Sequence, residues 1–250
     1  MRSNQLLIFD LKGEYGHFRK FNTTTSPLTY AIPTRPALAG LLGAILGMER
    51  ETGPGAFPEG VVPVQEVFTR GKADLGIQLL TPVKKTIMGF NLIDTKKSYF
   101  EIKQRTQIPF ELVKDPHYRI YFRHEDEALM KDLKDRLKRK AHHFTPYLGL
   151  SQFTAEVQWV DRAEAIERAE QEVQAVSLET ALSLHQAHVE KPINFGGGVQ
   201  YLVETMPLDM DRNRVVHAYG EVILESKGKQ VAANLTHWTE LPGWGNISFL

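Results

Sequence analysis

The segment over residues 34–47, TRPALAGLLGAILG, limits the possible folds most strongly because it combines a helical pattern with almost no charge. Its large apolar side chains recur every three or four residues, on one face of a helix predicted over residues 35–46: Leu38, Leu41, Leu42, Ile45 and Leu46. Thr34 suits the N-cap of this helix, and Gly47 suits its C-terminal end. Gly40 and Gly43 disfavour a helix, so their presence predicts a close approach of the helix backbone to a sheet.

The sequence before residue 160 alternates strand and helix patterns around this helix. Palm strands are predicted over residues 5–11, 77–80, 118–123 and 154–160, with hairpin strands over 84–92 and 99–108 between the second and the third, and a second amphipathic helix over 126–141. This βαββαβ order predicts an α+β fold in which residues 1–160 form a ferredoxin-like (RRM-like) palm, a four-stranded sheet with two helices on one face. Residues 161–250 are predicted to form a C-terminal extension packed on the palm, with an acidic helix over 161–173 and three strands after it.

A long β-hairpin is predicted as an excursion from the palm between Pro82 and Pro116. Within it, the alternating sequence YFEIKQRTQI places polar, mostly basic side chains on one face. The cations of the hairpin are Lys84, Lys85, Lys96, Lys97, Lys103 and Arg105. A solvated hairpin is the simpler interpretation, but an isolated hairpin is rarely stable in water, which favours a bound partner or RNA.

The composition excludes several classes of protein. The chain has 250 residues, of which 42% are hydrophobic and 24% charged, as is typical of a soluble globular protein. It has no cysteine, which excludes a disulfide scaffold and thiolate sites for metals or redox chemistry. The longest apolar run, residues 37–48, is too short to span a bilayer. We therefore expect a cytoplasmic protein with no membrane partner, metal or cofactor.

The charge of the chain is balanced overall but unevenly distributed. Residues 69–123 hold eleven Lys and Arg against five Asp and Glu, whereas residues 151–190 hold two against eight. A basic middle segment can follow a phosphate backbone, while an acidic segment faces solvent or a basic partner. Chance clustering of solvated charges explains the same pattern equally well.

An ordered set of short motifs resembles a known family. A first strand leads to Gly-x-x-Gly-x-Phe-Arg-Lys at residues 13–20, then to Tyr30, Pro33 and the helix segment 34–47, and Tyr147-Leu148-Gly149 precedes a later strand. In this order, over most of residues 5–160, the motifs resemble the CRISPR-associated Cas-five family of the RAMP superfamily. The size of the chain and its C-terminal strands are most similar to the type I-B subgroup.

The resemblance implies a subunit of a type I Cascade surveillance complex in antiviral defence. Such a subunit has a ferredoxin-like palm and a hairpin thumb, and it caps the 5′ handle of the CRISPR RNA. Its protein partners are the backbone (Cas-seven) subunits and the large subunit, and its contribution to holding target DNA is indirect. In most subtypes a separate endonuclease cuts the precursor RNA, but in type I-C the Cas-five protein cuts it.

The loop before the first helix supplies the remaining candidate RNA-binding residues: Phe18, Arg19, Lys20, Thr23, Thr24, Tyr30 and Arg35. Arg35 lies at a helix N-terminus, where free N–H groups and the helix dipole favour phosphate. Several of these residues also have a purely structural interpretation. Phe18 and Tyr30 can cover the core, and the threonines can form turns.

Catalysis is not expected. Metal-free cleavage of RNA needs a base, a cation and an acid, for which Tyr30, Arg123 and His124 are the candidates. The resemblance to the cutting relatives includes a tyrosine near the first helix but not their Lys-His pair, and arginine is a poor proton donor. Two alternatives stay open: a metal-independent endoribonuclease that processes precursor RNA, and a purely structural subunit whose basic face meets protein.

Overall fold

The computed structural model describes residues 4–21, 26–53, 56–93 and 105–250. It has a mixed α+β fold, mostly strands with three α-helices. The strands are β1 (Gln5–Lys12), β2 (Tyr15–Gly16), β3 (Ala73–Leu79), β4 (Lys85–Ile93), β5 (Arg105–Lys114), β6 (His117–His124), β7 (Glu156–Glu164), β8 (Ile166–Leu178), β9 (Leu182–Ser183), β10 (Tyr201–Met210), β11 (Val216–Glu225), β12 (Val231–Leu241) and β13 (Gly245–Ile247). The helices are α1 (Arg35–Leu46), α2 (Val64–Val67) and α3 (Glu127–Arg139), and a 3-10 turn covers Leu184–Gln186.

The central sheet has four antiparallel strands in the order β3-β6-β1-β7. Alternate side chains of β1 enter different cores, as expected for a strand that is covered on both faces. Phe9 and Leu11 pack in the core that includes α1 and α3, whereas Leu6 and Ile8 pack with Leu241 and other residues of the C-terminal strands. In the described part of the chain, both faces of β1 are therefore covered.

Helix α1 has the predicted bounds and caps. The Thr34 side chain accepts a hydrogen bond from the N–H of Ala37, and Gly47 has a left-handed φ of 78°. The glycine prediction was wrong, because a Cβ at Gly43 would meet the Val64 side chain of α2 and a Cβ at Gly40 would meet nothing within 4 Å. No helix in the described ranges, α1 included, is long and apolar enough to cross a membrane.

The predicted hairpin is present as β4 and β5, which pair from Lys85 opposite Val113 to Ile93 opposite Arg105. Its base is fixed to the domain by the N–H of Glu111, which donates to the carbonyl of Pro27 over 3.0 Å. The outer part of the hairpin, residues 94–104, lies outside the described residues.

The acidic segment after residue 160 was wrongly predicted as a helix. It forms the end of β7 and most of β8, and β8 pairs with β12. Glu, Ala and Gln favour helices in isolation, but pairing with a distant strand overrides this weak local preference. The three strands predicted after it are confirmed as β10, β11 and β12.

Candidate functional site

The two loops that carry the family motifs pack directly against each other. The N–H of His17 donates to the carbonyl of Leu148 over 2.9 Å. Gly149 has a φ of +88°, and a Cβ there would lie 1.8 Å from the His17 carbonyl oxygen. A Cβ at Gly13 would lie 2.8 Å from the Leu148 side chain. The glycines of both motifs therefore allow close packing between the loop before α1 (residues 13–34, here called the first loop) and the loop before β7.

A cleft of about 560 Å³ opens beside this junction. Its wall includes residues of both motifs and of the exposed side of α1, among them Phe18, Pro33, Gly40, Leu148 and Gly149. Phe144 and Tyr147, on the loop before β7, also line it and are 44% and 46% exposed. Arg214 pairs with Glu51 at the rim. The volume and the apolar lining are typical of a ligand pocket.

Two aromatic residues of the first loop, Phe18 and Tyr30, are part of the core. Phe18 is 5% exposed and its ring meets that of Tyr118, with centroids 6.2 Å apart. Tyr30 is 1% exposed, and its hydroxyl donates to the carbonyl of Thr205 over 2.9 Å. Burial, with the nearby Glu204 carboxylate, raises the pKa of Tyr30 to about 12. Neither ring presents a face on which a base could stack.

Arg35 is also structural. Its side chain is buried, and its guanidinium donates to the carbonyls of Leu250, Phe68 and Ala73 over 2.9, 3.1 and 3.1 Å. These bonds hold the start of α1 to the last residue and to the start of β3. The guanidinium is engaged within the fold, so the predicted contact of Arg35 with phosphate would require these bonds to break.

Lys20 and Lys85 lie close together, but each faces carboxylates. Lys20 Nζ is 2.7 Å from Glu204 Oε1, and Lys85 Nζ is 3.2 Å from Glu111 Oε2 and 3.8 Å from Glu204 Oε1. The second oxygen of Glu204 accepts from the N–H of Ala31 over 2.8 Å. This cluster of two lysines and two glutamates joins the first loop, the hairpin and β10. A phosphate that approached the lysines would compete with the carboxylates.

The other predicted cations lie on the surface or outside the described residues. Arg19, Lys84 and Arg105 are exposed. The predictions for Thr23, Thr24, Lys96, Lys97 and Lys103 fall outside the described residues. The exposed predicted cations therefore lie on the first loop (Arg19), at the base of the hairpin (Lys84) and at the outer end of its described part (Arg105).

Two exposed aromatic rings were not found from the sequence. Phe21 follows Lys20 and is 59% exposed, and Tyr219 lies on β11 and is 48% exposed. Their ring centroids are 4.9 Å apart at an interplanar angle of 51°. Only the position of Phe21 next to two bases hinted at this pair, because the contact joins segments about two hundred residues apart in the chain.

The three candidate catalytic groups are engaged within the fold. Arg123 is buried and its guanidinium donates to Asp74 and to Glu167, each over 2.7 Å. His124 Nε2 lies 2.9 Å from the carbonyl of Val67, to which it donates, and Nδ1 accepts from the N–H of Asp126 over 2.9 Å. Both ring nitrogens of His124 are therefore satisfied, and the Tyr30 hydroxyl is bonded to Thr205.

Comparisons with known proteins agree with the sequence motifs. A sequence model of the family described as "CRISPR-associated protein (Cas_Cas5)" matches residues 6–223. The solved structure described as "Crystal structure of a CRISPR protein from Archaeoglobus fulgidus" is 11% identical with a TM-score of 0.56, and the match covers 98% of this chain and 99% of that chain. A chain of a structure described as "CRISPR RNA-guided surveillance complex" is 14% identical with a TM-score of 0.53, covering 91% of each chain. No curated protein matches the sequence.

Proposed function

Because the chain belongs to the CRISPR-associated protein (Cas_Cas5) family, we propose that it is a non-catalytic RNA-binding subunit of a type I Cascade surveillance complex, of type I-B. In this role it caps the 5′ handle of the CRISPR RNA and bridges the backbone (Cas-seven) subunits and the large subunit. It works in the cytoplasm and supports target DNA binding only indirectly. The family match over residues 6–223 carries this proposal.

The architecture supports the assignment of a palm and a thumb. The strand order β3-β6-β1-β7, with α1 and α3 on one face, is compatible with a ferredoxin-like palm, and the β4–β5 hairpin is its thumb. Because the C-terminal strands cover the other face of the sheet, the RNA runs over loops and the hairpin and not across an open sheet.

The exposed cations define the proposed path of the RNA. Arg19 lies on the first loop, and Lys84 and Arg105 lie at the two ends of the described hairpin ladder. Phosphates meet these side chains first, together with the predicted contacts of residues 23, 24, 96, 97 and 103. Lys20 and Lys85 contribute only when phosphate displaces Glu204 or Glu111 from them. Phe18, Tyr30 and Arg35 hold the loop in shape and do not touch RNA.

The absence of catalysis is supported by the contacts of the candidate groups. A general acid or base must reach the reacting proton with a free nitrogen or oxygen. Arg123, His124 and Tyr30 use these atoms within the fold, so none is poised to act on a 2′-hydroxyl.

The purified protein, incubated with labelled repeat RNA in EDTA, tests the proposal. We expect salt-sensitive binding of RNA that carries the 5′ handle, weaker binding of a scrambled handle, and intact RNA after incubation. Specific cleavage that is abolished by Tyr30→Phe or His124→Ala would instead establish a metal-independent endoribonuclease. Equal, salt-independent binding of both RNAs would favour a subunit whose surface meets protein.

A further inference from the structure

We propose that Phe21 and Tyr219 form a stacking platform for one unpaired nucleobase of the bound RNA. The inference rests on the proposed function, and it identifies the part of the RNA that this surface receives. Proteins usually bind the unstacked bases of a single-stranded RNA by stacking them on aromatic side chains.

The geometry of the pair suits this role. The two rings come from different elements, the first loop and β11, and lie 4.9 Å apart at 51°. About half of each side chain faces water, at 59% for Phe21 and 48% for Tyr219. The two rings contact each other, and both keep a large exposed surface. A flat base that covers this surface removes apolar area from water and gains ring contact.

The setting favours RNA over a protein partner. Phe21 directly follows Arg19 and Lys20 in the sequence. Arg19 is exposed two residues before Phe21 and can bind the phosphate adjoining a stacked base through its planar fork, whereas Lys20 is paired with Glu204. A protein interface would instead bury a larger apolar patch around the rings, but Glu221 on the same strand as Tyr219 is exposed and charged.

A second exposed aromatic pair provides a natural comparison. Phe195 is 72% exposed and meets Tyr201 with ring centroids 5.3 Å apart. No Lys or Arg lies within three residues of either ring in the sequence. Exposed rings alone are therefore not the distinguishing feature, since the pair at Phe21 differs by its neighbouring cations.

The test measures binding of a labelled single-stranded RNA of the 5′ handle to the full-length protein across a salt series. Phe21→Leu and Tyr219→Leu are each expected to weaken binding about 5- to 150-fold, as for the loss of one stacked base. The salt dependence should stay the same because no phosphate contact is removed. Tyr219→Phe, which keeps the ring, and Phe195→Leu, which changes the comparison pair, should bind like the parent protein.

An RNA series with one abasic position at a time completes the test. At the stacked nucleotide the abasic RNA should bind parent and Phe21→Leu proteins equally, whereas at other positions the difference should persist. Thermal unfolding checks that each variant is folded.

If both leucine variants bind RNA normally while Lys84→Glu weakens it, the platform is wrong and the proposed function stands. Normal RNA binding combined with loss of association with the other subunits would also overturn the platform, in favour of a protein contact. If the parent protein binds no handle RNA, the proposed function itself fails.

Discussion

The first loop and the β4–β5 hairpin both carry residues that the sequence predicts to bind RNA, but the fold uses them differently. In the first loop, Phe18, Tyr30 and Arg35 are buried and satisfied by contacts inside the protein. In the hairpin, Lys84 and Arg105 are exposed. The difference teaches that residues of a family motif can be structural: they hold together the loops that support a binding surface and need not contact the ligand. Substitutions of these buried first-loop residues should therefore cost stability, and those of the exposed hairpin cations should cost RNA affinity.

The largest effect is expected at Gly149. Gly149→Ala forces a side chain into the His17 carbonyl and a left-handed backbone, so the free energy of unfolding should fall by about 4 kcal/mol or more. Gly40→Ala, on the open side of α1, should raise it by about 0.5–1 kcal/mol because alanine favours the helix. Denaturant titration of both variants measures the contrast. Equal stability of the two variants would show that the loops do not pack as described.

Arg35→Met should lower the free energy of unfolding by about 3 kcal/mol, because three carbonyls lose their charged donor in a buried site. Arg105→Met removes the same charge from an exposed position and should change stability by less than about 0.5 kcal/mol. RNA affinity, measured on the folded fraction, should fall more in Arg105→Met than in Arg35→Met. Weaker RNA binding by folded Arg35→Met than by Arg105→Met would restore Arg35 as a phosphate ligand.

Glu204→Gln separates the contribution to stability from the contribution to RNA binding in the cluster of two lysines and two glutamates. The amide oxygen can still accept from Ala31, but Lys20 and Lys85 lose a negative partner, so stability should fall by about 1–3 kcal/mol. With one negative charge removed from the cluster, RNA should bind more tightly and with a steeper salt dependence. Glu221→Gln makes the same charge change at an exposed position and should alter both stability and RNA affinity less. Unchanged RNA affinity in Glu204→Gln would remove the two lysines from the RNA path.

The smallest effect concerns His17. Its Nδ1 lies 2.8 Å from the Glu111 carbonyl and donates to it, and burial lowers the pKa of the ring. The neutral ring therefore contributes stability that is complete above the unfolded-state pKa of about 6.5 and is lost as pH falls below it. His17→Asn should reduce the loss of stability between pH 7.5 and 5.5 by up to about 1 kcal/mol. Chemical denaturation at the two pH values measures this, and an identical loss in both proteins would exclude His17 as the source.

Local signals in the sequence were sufficient for α1, whose cap residue, apolar face and terminal glycine all lie within fourteen consecutive positions. The first strand of the hairpin, predicted over residues 84–92, agrees with β4, whereas the alternating segment over 99–108 lies mostly outside the described residues. The burial of Arg35 could not be predicted because its acceptors lie at residues 68, 73 and 250, which makes it a long-range property. The same holds for Glu204, which reaches Ala31 across 173 positions. For β8, helix-favouring residues misled the prediction because the pairing strand β12 comes much later in the chain.

Binding of handle RNA as a function of salt tests the central claim most directly. For the parent protein, the logarithm of the binding constant should fall linearly with the logarithm of salt concentration. Lys84→Ala combined with Arg105→Ala should make this slope shallower by about 1.4, which corresponds to two phosphate contacts on a single strand. The account predicts that folded Arg35→Met keeps the parent slope. A slope that is unchanged in the hairpin variant and shallower in Arg35→Met would contradict it.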